Sequence, residues 1–233
     1  MPDLTVYEQL ESDLGFKFAN RDLLIQAFTH RSYLNENPGH RIGHNERLEF
    51  LGDAVLELVV TEHLYHNFPN PEGELTNLRA SLVNAKTLGD IALALNFDNY
   101  LLLSRGEAKD ANSKARHSIL ANSVEALIGA LYLDQGLTAA KKFIDSQVLT
   151  KLPEILAKQA YRDPKSTFQE MAQKYSNITP SYKVLAEWGP DHDKHFRVAV
   201  NLETEEIAVG EGPSKQEAQV AAATNALRAK GWE

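Results

Sequence analysis

The sequence predicts an all-α N-terminal domain followed by a small α+β domain of order α-β-β-β-α with an antiparallel three-stranded sheet. Three observations carry this. Apolar residues recur at helical spacing from Val6 to Leu149, and no stretch before residue 160 alternates as a strand does. Beyond it, Tyr182, Val184 and Ala186 alternate, as do Phe196, Val198 and Val200. Between the two regimes lies Tyr161-Arg-Asp-Pro-Lys165, a linker-like segment in which Pro164 can open a new element. The expected division is a domain over 1–158, a linker over 159–164 and a second domain over 165–233.

The elements follow in order. Val6 to Leu10 and Leu14 suit a short amphipathic helix. Asn20 is a good N-cap for Arg21 to Thr29. Tyr33 to Gly43, with its Asn, Pro and Gly, reads as a loop. A long helix runs from about Asn45 to Asn67, and Phe68 to Gly73 is a turn-rich break. Leu75 to Val83, Lys86 to Leu95, Ser118 to Leu133 and Leu137 to Leu149 read as further helices. In the tail, Ser166 to Tyr175 is helical. Ile207 and Val209 mark a third strand after the acidic turn Glu203 to Glu206, and Gly210 to Pro213 breaks it. Ser214 caps an Ala-rich helix reaching Lys230. Three antiparallel strands backed by two helices are the natural packing for that order.

With 233 residues the chain can bury a substantial core. It has no cysteine, so disulfides, thiolate catalysis and zinc–thiolate sites are excluded. The N-terminus lacks the basic-then-apolar pattern of a secretory signal, and no apolar run is long enough to span a membrane. A cytoplasmic protein without a membrane partner is expected. The net charge of −8 argues against binding nucleic acid by bulk electrostatics, so a polyanion would need local basic groups or bridging cations.

The segment His44-Asn-Glu-Arg-Leu-Glu-Phe-Leu-Gly-Asp-Ala54 concentrates the chemistry. At about 100° per residue, Glu46, Glu49 and Asp53 share one helix face, with Leu48, Leu51, Val55 and Leu58 opposite. Glu46 and Glu49 repel across one turn, and only Arg47 nearby offers compensation. Such a cluster suits a hard, oxygen-liganded cation. A second helix offers a match. Between Ser118 and Leu131 nearly every residue is apolar or small except Asn122 and Glu125, three apart on one face. Glu49, Asp53, Asn122 and Glu125 together would make a four-oxygen site for Mg²⁺, with Mn²⁺ as the alternative. The competing reading places each acid on a solvated helix face. Phe50, beside the acidic face, suggests a protein–protein contact or fills a gap in the core.

HNERLEFLGDA, GELTNLRASLVN from Gly73 to Asn84 and ILANSVEALIGALYLDQG from Ile119 to Gly136 together resemble bacterial ribonuclease III, and the tail resembles that family's double-stranded RNA-binding domain. The resemblance covers essentially the whole chain. It implies a catalytic domain that forms a homodimer through the signature helix, with Phe50 at the contact. It implies Mg²⁺-dependent hydrolysis of both strands of an RNA duplex, giving 5′-phosphate and 3′-hydroxyl ends with short 3′ overhangs, in ribosomal and messenger RNA processing. Glu49, Asp53 and Glu125 match the family's metal-site acids and Glu46 its additional signature carboxylate. Glu74 and Glu107 match acidic positions of lower rank. The fourth ligand is usually Asp, and here it is Asn122. The alternative function is therefore a dimeric double-stranded RNA-binding protein with weak or absent cleavage. A purely structural helical dimer is a third reading.

The same resemblance assigns three RNA contacts in the tail. Ser166, Gln169 and Glu170 match a minor-groove reader, His192 a loop entering the next minor groove, and Ser214, Lys215 and Gln216 a phosphate contact at a helix start. The family often has two lysines at the last patch, and this chain keeps one. From Gln159 onward there are nine Lys and Arg against eleven Asp and Glu, so RNA recognition must be local. A small protein-interaction module is the competing reading of the tail.

Overall fold

A computed structural model describes residues 4–109, 113–157, 163–190 and 193–232. The chain divides into two compact units, Met1–Tyr161 and Arg162–Glu233.

Nine helices form the first unit among the described residues: α1 (Leu4–Leu14), α2 (Arg21–Ala27), α3 (Arg31–Glu36), α4 (Glu46–Asn67), α5 (Glu72–Val83), α6 (Ala85–Ala94), α7 (Arg105–Lys109), α8 (Lys114–Gln147) and α9 (Leu152–Ala157). Asn20 caps α2 as expected, its side chain accepting from the Asp22 N–H. The core gathers around α8, whose Leu120, Val124, Leu127, Ile128 and Leu131 are buried against Leu48, Val55, Leu56, Val59 and Val60 of α4. Burying each such side chain contributes about 1.5–3 kcal/mol. A second focus is aromatic: Phe28 meets Phe97 edge-on at 5.0 Å, beside Tyr7 and Tyr100.

The structure corrects several expectations. The loop placed over Tyr33–Gly43 begins as helix, because the His30 side chain caps α3 by accepting from the Ser32 N–H. Helix α5 starts at Glu72, inside the supposed break, with Pro71 preceding its first turn. Helices α7 and α9 were not expected; each is too short for its apolar spacing to register. Leu58 does not share the buried stripe of Leu48 and Val55, being 59% exposed. Within α8, Gly136 takes φ +78°, ψ −176°, which separates the two helical stretches the sequence suggests.

The second unit contains α10 (Pro164–Ser176), β1 (Ser181–Trp188), β2 (His195–Leu202), β3 (Glu205–Gly212) and α11 (Lys215–Lys230). The strands pair antiparallel in the order β1-β2-β3, with Val184 opposite Val198 and Val200 opposite Ala208. Phe168 and Ala172 of α10, Val200 and Leu202 of β2, and Ala222, Ala223, Ala226 and Leu227 of α11 form its core. Trp232 folds over Phe168 and Tyr175 at the end of the chain. Strand β3 runs on through Gly210 and Gly212, where a break was expected. These glycines pair with Val198 and Phe196, and a Cβ at Gly210 would strike the α11 backbone at Ala218 and Ala222. The alanines of α11 and these glycines thus let helix and strand pack closely.

Candidate metal centre and nucleic-acid interface

Two glycines bring the acidic helices together. A Cβ on Gly52 of α4 would lie 2.6 Å from the Glu125 carbonyl carbon and 2.8 Å from the Gly129 nitrogen, and one on Gly129 would strike the Leu48 carbonyl oxygen. The α4 and α8 backbones therefore touch where they cross. Glu49 and Asp53 flank Gly52, and Asn122 and Glu125 lie on the turns of α8 before Gly129. The four residues converge across this crossing. Sequence reasoning missed both glycines as site-builders. The signal was there: a glycine inside a helix costs about 1 kcal/mol relative to alanine.

The electrostatics follow from the convergence. Glu125 is pushed up to about 8, first by burial and then by the Asp53 and Glu49 carboxylates. Glu49 is also raised, by burial and by Glu46, with a further push from Asp53. An Asn122 side-chain hydrogen bond pulls it the other way. Among the described residues no Lys, Arg or His forms an ion pair with Glu49, Asp53 or Glu125. Glu46 stands at the edge of the group. Its compensating cation is Arg31 of α3, at 3.3 Å, rather than Arg47, and His44 Nδ1 lies 3.7 Å from its carboxylate. The helix start is fixed by buried Asn45, which donates from its backbone to the Thr29 carbonyl and from its side chain to the Ala27 carbonyl. Burial lowers His30, opposed by Glu107 and Glu46. Glu74 is engaged elsewhere, accepting from Asn70 at 2.7 Å.

Glu49 and Glu125, partly buried with raised proton affinity and no cationic partner, fit a hard cation, which would replace the proton and relieve the repulsion. Among the described residues no group of three or more His, Asp and Glu side chains makes a ready-formed cation cage. One of the four converging donors is an amide, and the three acids repel one another. The site lies apart from the cavity beside Ser81, Asn84 and Lys151 and from the one beside Glu8 and Arg21.

Phe50 is 81% exposed, so it fills no core gap. With Leu58 and Tyr65, also exposed, it forms an apolar stripe along α4 beside the acidic face.

In the second unit, Gln169 and Glu170 are exposed on α10. The Ser166 hydroxyl is engaged, donating to the Asp163 cap at 2.7 Å. Ser214 caps α11 by accepting from the Glu217 N–H, and exposed Lys215 and Gln216 follow in its first turn. His192 lies outside the described residues.

Comparison with known proteins gives a consistent result. Residues 20–152 match the Ribonuclease-III-like family model and residues 164–230 the double-stranded RNA binding motif. A Ribonuclease 3 of Carboxydothermus hydrogenoformans is 47% identical over 219 residues, covering 94% of this chain and 93% of that protein. One from Desulforamulus reducens is 45% identical over 221 residues, covering 94% and 89%. Among solved structures, a nuclease domain of ribonuclease III from Campylobacter jejuni, described as flexible in the region involved in dimer formation, matches with a TM-score of 0.56 and 42% identity. The match covers 63% of this chain and 98% of that one. The helical unit and the α-β-β-β-α unit that follows each match in turn, and the chain belongs to the ribonuclease III family.

Proposed function

We propose that this protein is a homodimeric, divalent-metal-dependent endoribonuclease that cuts both strands of double-stranded RNA. It leaves 5′-phosphate and 3′-hydroxyl ends with short 3′ overhangs and serves ribosomal and messenger RNA processing in the cytoplasm. The convergence of Glu49, Asp53, Asn122 and Glu125 at the Gly52–Gly129 contact carries this reading.

Bound Mg²⁺ or Mn²⁺ supplies water activation, charge neutralisation at phosphorus and stabilisation of the leaving oxygen. Glu49, Asp53 and Glu125 would hold the cation through carboxylate oxygens, and Asn122 through its amide oxygen. Asn122 removes one negative charge from the set, so cation affinity is lower than with aspartate there. Glu46, paired with Arg31, keeps a carboxylate at the edge of the site to orient water. Glu125, whose carboxyl holds its proton up to about 8, would have to release that proton to hold a cation, so binding would be coupled to proton release.

The exposed stripe of α4 supports self-association. In an antiparallel pairing of two copies, Phe50 of one lies opposite the Tyr65 end of the other. A cavity of about 440 Å³ opens there, lined by Thr61, Leu64, Tyr65, Leu75 and Thr76 with Glu72 and Arg79 among them. Two acidic clusters in one dimer account for two cuts. The α-β-β-β-α unit holds the duplex through Gln169, Glu170 and Ser166, His192, and the Ser214–Gln216 helix start. With net negative charge its affinity is modest.

Cleavage of a long RNA duplex by this chain and by Asn122→Asp tests the reading. Mg²⁺-dependent cutting by the parent supports it. No cutting by the parent under Mg²⁺ or Mn²⁺, with activity restored in Asn122→Asp, would replace it with the RNA-binding clamp.

A further inference from the structure

We propose that Lys165, on α10, contacts backbone phosphate and supplies in space the second positive charge that the sequence of α11 lacks after Lys215. This rests on the reading of the second unit as a duplex RNA binder. Lys165 Nζ donates to Gln219 Oε1 at 2.7 Å. Gln219 lies four residues after Lys215, so the two share a face of α11 one turn apart. The Lys165 ammonium is thereby delivered from another helix to the Lys215 face of α11.

Both lysines are held by rings of the sheet. Lys165 Nζ sits 5.1 Å from the Tyr182 ring centre, and Lys215 Nζ sits 5.6 Å from that of Phe196. The Lys165 stem is half-buried and its head is tethered, so little side-chain freedom remains to be lost on binding. An ammonium has three donors, and Gln219 takes one.

Charge pairing separates Lys165 from other basic residues of the unit. Lys194 pairs with Glu187, Arg197 with Glu211 and Lys230 with Glu205. Among the described residues Lys165 forms no ion pair, and the nearby Asp163 carboxylate accepts both the N–H and the hydroxyl of Ser166. Gln216, by contrast, is exposed and neutral. A cation held rigidly without a counter-charge, beside the free N–H groups of the α11 start, is suited to a phosphate.

The test is a salt titration of duplex binding by the full chain in metal-free buffer, using a blunt RNA of about 20 base pairs. Each phosphate contact adds about 0.9 to the slope of log affinity against log salt. Lys165→Gln is expected to flatten the slope by that amount. Between about 50 and 200 mM salt the parent then loses about 3.5-fold more affinity than the variant. Lys165→Arg keeps the parent slope, and Gln216→Lys steepens it by one contact. Gln219→Ala frees the tether without removing charge, so it weakens binding at an unchanged slope. A parent slope in Lys165→Gln, whatever its affinity, overturns the proposal and makes Lys165 a packing residue. A flattened slope in Lys165→Arg overturns it equally. A parent chain that fails to bind duplex overturns the RNA-binding reading itself, which is a different result from binding with an unmoved slope.

Discussion

Replacing Gly52 with alanine tests the contact on which the whole site depends. The added methyl carbon would stand 2.6 Å from the Glu125 carbonyl carbon and 2.8 Å from the Gly129 nitrogen. The Glu125 carbonyl oxygen is nearer still, and nonbonded contacts to carbon settle at roughly 3.5 Å, so α4 and α8 must part by more than about 1 Å. The struck atoms are main chain, so no side chain can turn away to relieve the overlap. Helix propensity alone favours alanine by about 1 kcal/mol. Overpacking costs about 1–3 kcal/mol, and rigid backbone on both sides places this case at the upper end. The net is a loss of about 2 kcal/mol, which lowers the melting temperature by roughly 4–8 °C in a domain of this size. Function suffers more. Parting the helices moves Glu49 and Asp53 away from Asn122 and Glu125, and a displacement of about 1 Å at a reacting centre costs on the order of 100-fold in rate. Thermal unfolding and single-turnover duplex cleavage read the two effects. A variant that melts at or above the parent temperature and cleaves at the parent rate would show that the helices do not touch at Gly52, and the account of the site would fall with it.

Other perturbations follow from the same site. Glu125 binds its proton more tightly folded than unfolded, so its own contribution to metal-free stability is greatest in acid. It falls as pH rises from the ordinary carboxylate range to about 8 and levels beyond. Melting curves across pH should show this decline for the parent and a flatter profile for Glu125→Gln; identical profiles would contradict it. Asn122→Asp exchanges a hydrogen bond to Glu49 for a like charge. It should lower the metal-free melting temperature while raising the stabilisation from added Mg²⁺ or Mn²⁺, and calorimetric titration should show tighter binding. Phe50→Ala removes the most exposed apolar side chain of the α4 stripe. Burial of a phenylalanine is worth about 1.5–3 kcal/mol per copy, so sedimentation should show a shift toward monomer without loss of the monomer's fold.

Much of this was legible from residue spacing, and the exceptions have physical causes. The order of elements in the second unit followed from period-two alternation and helix caps: β2 buries Phe196, Val198, Val200 and Leu202, whereas β1 is exposed along nearly its whole length. The acids of α4 and α8 stood out because Glu125 is a charged residue on an otherwise apolar helix. Leu58 misled because helical spacing shows that a stripe is apolar without showing what covers it; here one apolar face of α4 packs on α8 and another lies exposed. The partner of Glu46 could not be read because Arg31 comes from a helix fifteen residues upstream, and Arg47 was merely adjacent in sequence. Gly210 and Gly212 looked like a strand break because propensity weighs a glycine's missing side chain and ignores the helix that occupies the vacated space. Lys165 escaped notice for a similar reason. Its relation to Lys215 runs through Gln219 on another helix, and no linear motif records it.

Gly136 has a consequence for how this architecture can change. A residue at φ +78° in the middle of α8 breaks its helical phase. In an unbroken helix, inserting one residue rotates everything beyond it by about 100° relative to everything before. Here the stretch from Leu137 onward is indexed afresh, so its rotation is set by its own buried residues, Ala140, Phe143 and Ile144, and not by the phase that aims Asn122 and Glu125 at α4. The first half of α8 is held in register by the Gly52–Gly129 contact, and the second half is held separately by the burial of Ala140, Phe143 and Ile144. The domain thus has a joint at Gly136 that lets two stretches of one helix each keep the register its own packing demands.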